Sequence, residues 1–164
     1  MSYFKDSKGI KLIPLSEGCH FFDDLIVNYA VELSKEEMDL FDSALRIMFS
    51  YCKTNNFSIN GWNNLNILFT QNGSFEMLTD DESHIGGSYI KIVVYNVNSW
   101  RGIVDSTGLM AIYLEELCHH YFNISDEIEV KHRVYDIMKS FNNDFSFTEY
   151  ARSIGMEDVL CNGL

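Results

Sequence analysis

The sequence has little proline, few bases and no long apolar run, and each shortage narrows the class of protein it can be. Its only proline is Pro14, so no proline-rich linker divides the 164 residues. That length suits one domain with a sizeable core. No apolar stretch approaches the roughly 18–20 residues that cross a bilayer. The opening MSYFKDSKGIKLIP lacks the continuous apolar segment of a secretory signal. Cys19, Cys52, Cys118 and Cys161 are scattered without a CxxC pair, which argues against a zinc ribbon or a dithiol redox motif. The expectation is a reduced, cytoplasmic protein with no membrane attachment. Neither GxxxxGK nor GxGxxG surrounds Gly86-Gly87, so that pair is not a phosphate loop.

Lysine and arginine together number 12 against 24 acids, giving a formal net charge of -12. Charged residues total only 22%, so the imbalance reflects scarce bases more than abundant acids. Such a surface repels phosphate backbones and anionic membranes. The aromatic residues are interleaved with acids, which disfavours a platform for stacking nucleic-acid bases. A basic peptide or protein fits this charge better as a partner, and ordinary solubility accounts for the charge more simply.

What is present is core material, at 46% hydrophobic and 14% aromatic residues. The start of the chain to about Ser16 reads as an extended arm or short strand. Phe21, Leu25, Ile26 and Tyr29 have helical spacing and predict a helix over 20–32. Ser34-Lys-Glu-Glu37 is a capping box. The apolar stripe of Met38, Phe41, Leu45, Met48 and Phe49 behind it predicts a helix over 35–53. Leu65–Thr70 reads as a strand, with a turn at 71–73 and a hairpin partner at Phe75–Leu78. A second strand, rich in β-branched residues, spans Ser88–Val97. With Ser106 or Thr107 as cap, a long helix runs from Gly108 to about Asn123. Asp126 and Glu129 open another helix, ending near Phe141, and a short one over 148–153 is closed by Gly155. The order predicts one α+β domain over residues 1–164: N-terminal helices, a small central antiparallel or mixed sheet, and C-terminal helices.

The informative stretch is YLEELCHHYF, residues 113–122. At about 100° per residue, Met110, Leu114, Leu117, Cys118 and Tyr121 share an apolar face, and Cys118 reads as a buried structural thiol. Glu115 and His119 lie one turn apart on the other side, beside Glu116 and His120. Leu109, Ile112 and Tyr113 continue that side one turn earlier, so the four polar groups extend an apolar face. Half-buried carboxylates need a partner or a metal. Carboxylate and imidazole at i,i+4 spacing suit zinc and also iron or manganese. They equally suit paired hydrogen bonds along one helix. Glu17-x-x-His20 and Glu129-x-x-His132 repeat the ExxH spacing, but the strand-rich centre argues against a di-iron bundle.

A strand followed by a helix carrying LEELCHH resembles the core of the zincin metallopeptidases over about residues 64–123. In that alignment Glu115 stands at the first metal ligand, where the family has histidine. Glu116 stands at the catalytic base and His119 at the second ligand. The resemblance implies a zincin-like fold and one divalent ion, zinc foremost, with peptide hydrolysis as the activity. It equally accommodates a catalytically inactive relative. It draws a third ligand from downstream, where Asp126, Glu129 and His132 are the nearest candidates, and His120 is a further candidate ligand from the cluster itself. The competing expectation is a non-enzymatic acidic protein that binds or inhibits a basic partner through Asp80, Asp81, Glu82 and Glu127.

Overall fold

The computed structural model describes residues 11–12, 26–57, 65–74 and 91–156. Helix and strand are mixed, in two compact units, one holding the strands and the other the helices. The strands are β1 (Lys11–Leu12), β2 (Ile26–Tyr29), β3 (Leu65–Thr70) and β4 (Lys91–Asn96), lying side by side in that order. β1 runs antiparallel to β2, with Lys11 opposite Tyr29. β2 and β4 flank β3 and are both parallel to it, Tyr29 and Tyr95 each opposite Phe69. The sheet is therefore mixed, with a parallel centre, and the antiparallel alternative does not form among the described residues.

All six positions of β3 are buried, the polar Asn66 and Thr70 among them, as expected for a strand with a neighbour on each side. The rings of Phe69 and Tyr95 stack at 5.0 Å across the β3–β4 pair. The hydroxyl of Thr70 accepts a hydrogen bond from the Gly73 amide at 2.8 Å, fixing the turn after β3. Gly73 has φ +76° there, a conformation that glycine adopts without a Cβ penalty. The hairpin partner expected at Phe75–Leu78 lies outside the described residues. So do most of the extended arm and the start of the strand expected from Ser88.

Two expectations are corrected. Ile26–Tyr29 is a strand and not part of a helix. Its neighbours β1 and β3 supply ladder partners on both edges, and Ile, Val and Tyr favour a pleated backbone, so pairing overrides a short helical spacing. Residues 20–25 lie outside the described set. The parallel β2–β3 pair is connected through a helix, which makes a crossover of the kind that the order of predicted elements did not show.

The helical unit comprises α1 (Lys35–Thr54), α2 (Ser106–Tyr121), α3 (Glu127–Phe141) and α4 (Phe147–Ser153). α1 starts at the expected capping box, with the Ser34 hydroxyl accepting from the Glu37 amide and Glu37 accepting from the Ser34 amide at 2.7 Å. α2 is capped by Asp105, whose carboxylate accepts from the Gly108 amide at 2.8 Å. This displaces the cap by one residue from Ser106. α3 is capped by Asp126 as expected, and α4 by a second capping box, Ser146 with Glu149. Gly155 closes α4 at φ +67°.

Glu37 does more than cap α1. It is 7% exposed, and its Oε1 accepts from Trp100 Nε1 at 3.1 Å and from Arg101 Nε at 2.8 Å. Its Oε2 accepts from Arg101 Nη2 at 2.7 Å. Arg101, foremost among its partners, holds its carboxyl down at about 2. Trp100 and Tyr113 meet edge to face at 5.6 Å, and Tyr113 meets Phe41 at 5.3 Å. This cluster fixes the entry of α2 against the first turns of α1. At the same end Gly108 lets α4 approach, because a Cβ there would lie 2.8 Å from the Ser153 carbonyl.

Leu114, Leu117 and Cys118 of α2 are fully buried, together with Phe41, Leu45 and Met48 of α1 and Val130, Val134 and Ile137 of α3. Cys118 is thus the structural thiol expected, and burial pushes its ionisation upward. Among the described residues no helix is long and apolar enough to cross a membrane.

Candidate metal centre

After α2 the chain must turn sharply for α3 to begin. Phe122 closes α2, its amide bonding to the Cys118 carbonyl at 3.0 Å. Asn123 then takes φ +53°, a left-handed conformation that asparagine tolerates better than most residues. Ile124 is buried at 7% exposure and anchors the turn. Arg133 of α3 braces it, the guanidinium lying 5.1 Å from the centre of the Phe122 ring and 5.3 Å from that of Phe57. Its Nη1 also donates to the Tyr51 hydroxyl at 3.1 Å.

This turn brings the first residue of α3 to the polar side of α2. One ligand atom from each of Glu115, His119 and Glu127 lies within 4.8 Å of the other two. His119 Nδ1 is 2.7 Å from the Ile124 carbonyl. A carbonyl can only accept, so Nδ1 carries the proton, and in the neutral ring Nε2 keeps its lone pair. That nitrogen faces Glu127, with Oε1 at 3.7 Å, too far for a hydrogen bond. A ring nitrogen tethered to a backbone carbonyl, with the other aimed at carboxylates, is the usual arrangement of a metal-binding histidine.

A fourth group enters the cluster. Lys131, one turn into α3, is 8% exposed. Its Nζ lies 2.7 Å from Glu115 Oε1 and 3.9 Å from Glu127 Oε2. A buried ammonium is costly unless opposite charges surround it, and these two carboxylates supply them.

Glu116 sits beside the cluster, half-buried, and makes no hydrogen bond among the described residues. Burial raises its carboxyl above the ordinary range, while His119 pulls the other way and Glu115 and Glu127 add to the rise. Tyr150 of α4 is fully buried, and its hydroxyl has no hydrogen-bond partner among the described residues. Burial raises that phenol, and the charge of Glu115 raises it further.

Of the residues singled out in the sequence, Glu115 and His119 converge and Glu116 adjoins them. The others are placed elsewhere. His120 meets the Tyr121 ring at 4.7 Å. The Asp126 carboxylate caps α3, accepting from the Glu129 amide at 2.8 Å. Glu129 is exposed, two residues and about 200° around the helix from Glu127. His132 stacks on Phe147 at 5.3 Å. The third converging side chain, Glu127, was expected only as part of an acidic surface, and Lys131 was not anticipated. The available signal was their own i,i+4 spacing, a carboxylate one turn before a lysine where α3 begins. Asp80, Asp81 and Glu82 lie outside the described residues.

No protein-family model, curated protein or solved structure matches this chain.

Proposed function

We propose that this is a zincin-like metal-dependent peptidase, or a catalytically inactive relative of one, whose ion is held by Glu115, His119 and Glu127. The observation that supports this reading is the His119 ring. With Nδ1 tied to Ile124, the free lone pair of Nε2 is directed at two carboxylates, and only a cation or a proton reconciles the three. Two carboxylate oxygens and one imidazole nitrogen form a donor set suited to zinc, and also to iron and manganese.

Once bound, a zinc ion supplies a Lewis acid that polarises a carbonyl and acidifies water. The chain's own residues supply the rest. Ile124 orients the imidazole, and Glu115 and Glu127 provide negative charge. Glu116 provides a carboxylate with raised proton affinity, suited to take a proton from a nucleophile and hand it to a leaving amine. The inactive alternative is favoured by one observation: Lys131 already neutralises Glu115.

The test uses protein purified without a histidine tag. Zinc, iron and manganese are quantified as isolated, and zinc is titrated after chelator treatment. About one equivalent of zinc is expected to bind, and His119→Ala is expected to weaken binding at least 10-fold. Glu116→Gln is expected to keep the metal. If the protein is active, that variant should lose roughly 100-fold or more in peptide hydrolysis, as removal of a general base does. The metal reading fails if none of the three metals is present or rebinds and His119→Ala changes nothing.

A further inference from the structure

We propose that Lys131 is the built-in cation of this site, so that a divalent ion must displace its ammonium from Glu115 and Glu127. This rests on the reading of the Glu115–His119–Glu127 cluster as a cation centre and adds a control element to it.

Three observations carry it. The Lys131 ammonium contacts the two carboxylates that would hold a metal, at 2.7 Å and 3.9 Å. Its side chain is only 10% exposed, so the charge is held inward beside the carboxylates. The Glu115–Lys131 pair is also closed while the His119–Glu127 pair stays open. Tetrahedral zinc with bonds of about 2.0–2.1 Å holds its ligand atoms roughly 3.3–3.4 Å apart. Here His119 Nε2 and Glu127 Oε1 are 3.7 Å apart, while the Glu115–Lys131 contact has the length of a charge-assisted N–H···O bond.

Charge counting points the same way. With His119 neutral, Glu115 and Glu127 carry two negative charges and Lys131 returns one. A metal arriving with Lys131 in place meets half the net charge and a Glu115 oxygen already bonded. With the ammonium swung out, it meets both carboxylates open. The Lys131 stem is flexible and its head is a compact point charge, so such an exchange leaves the helical backbone in place.

The experiment measures zinc affinity by competition with a chromophoric chelator. It uses tag-free, metal-stripped wild type, Lys131→Met, which keeps length without charge, and Lys131→Arg, which keeps charge. Circular dichroism checks that each is folded. Lys131→Met is expected to bind zinc about 10- to 100-fold more tightly than wild type, with Lys131→Arg no tighter than wild type. Adding Glu115→Gln to Lys131→Met is expected to abolish the gain. Equal zinc affinity in wild type and Lys131→Met overturns the role of Lys131 while leaving the metal centre standing. Zinc binding by Lys131→Met alone supports the role of Lys131 and shows that the native chain is a metal-free relative. A gain in Lys131→Arg equal to that in Lys131→Met overturns the proposal, because charge then does not matter. Absence of zinc binding in all variants overturns both proposals.

Discussion

Glu37→Ala is expected to cost about 3–4 kcal/mol of stability, in the range found when one partner of a buried charged network is removed. The change deletes the acceptor of Ser34 N, Trp100 Nε1, Arg101 Nε and Arg101 Nη2 together. It also removes one half of the α1 capping box, while Trp100 is itself only 2% exposed. At 2–4 °C per kcal/mol for a chain of this size, the melting temperature should fall by roughly 10 °C. A loss under about 1 kcal/mol would show that the carboxylate is not what ties the entry of α2 to α1.

The same carboxylate makes a pH prediction. Held down at about 2 from an ordinary 4.5, Glu37 is fully ionised in the fold wherever the unfolded chain is. Its contribution is therefore complete above about pH 4.5 and is lost as pH falls from there toward 2. A displacement of that size corresponds to about 3 kcal/mol. Because the Arg101 side chain is 39% exposed, solvent screening reduces this to about 2 kcal/mol. Urea unfolding at pH 7 and pH 3 should show wild type losing more stability than Glu37→Gln. Parallel losses in the two proteins would contradict it.

In the absence of metal, Lys131→Met is expected to cost about 2–3 kcal/mol, because Glu115, one-fifth exposed, is left half-buried beside Glu127 without its counter-charge. Zinc at about 100 times its dissociation constant should return about 2.7 kcal/mol by mass action. At that same zinc concentration wild type, binding 10- to 100-fold more weakly, is expected to gain only about 0.4–1.4 kcal/mol. Urea denaturation with chelator and then with excess zinc reads both quantities. A variant as stable as wild type under chelator would mean that Lys131 does not hold the cluster together.

These effects mark where the sequence was legible and where it was not. Local chemistry was readable: Ser34 with Glu37, Asp126 as a cap, and the stripe from Phe41 to Met48 each announce an element by their own spacing. Leu65–Thr70 was equally plain, a short and mainly apolar run bounded by turn residues. Ile26–Tyr29 was not, since its helical spacing is real and only the partners β1 and β3 decide against it. The capping role of Asp105 was hidden because serine and threonine stand just after it and are equally good caps.

The site divides in the same way. Glu115, Glu116 and His119 share one helix, so their grouping follows from 3.6 residues per turn. Glu127 and Lys131 reach them only through the turn at Asn123 and Ile124, a tertiary fact that helical periodicity cannot supply. Asp126 and Glu129 looked equivalent to Glu127 by position, yet the helix cap takes the first and the helical rotation carries the second away.

The most direct measurement of the proposed cation centre is the nitrogen state of His119. Long-range proton–nitrogen NMR correlation of the imidazoles, on tag-free protein above the ordinary histidine range, reads each ring nitrogen separately during zinc titration. The expected result is a protonated Nδ1 throughout and an unprotonated Nε2 whose resonance moves as zinc is added. An Nε2 that carries the proton, or one that stays unmoved at saturating zinc, would contradict a metal centre at Glu115, His119 and Glu127.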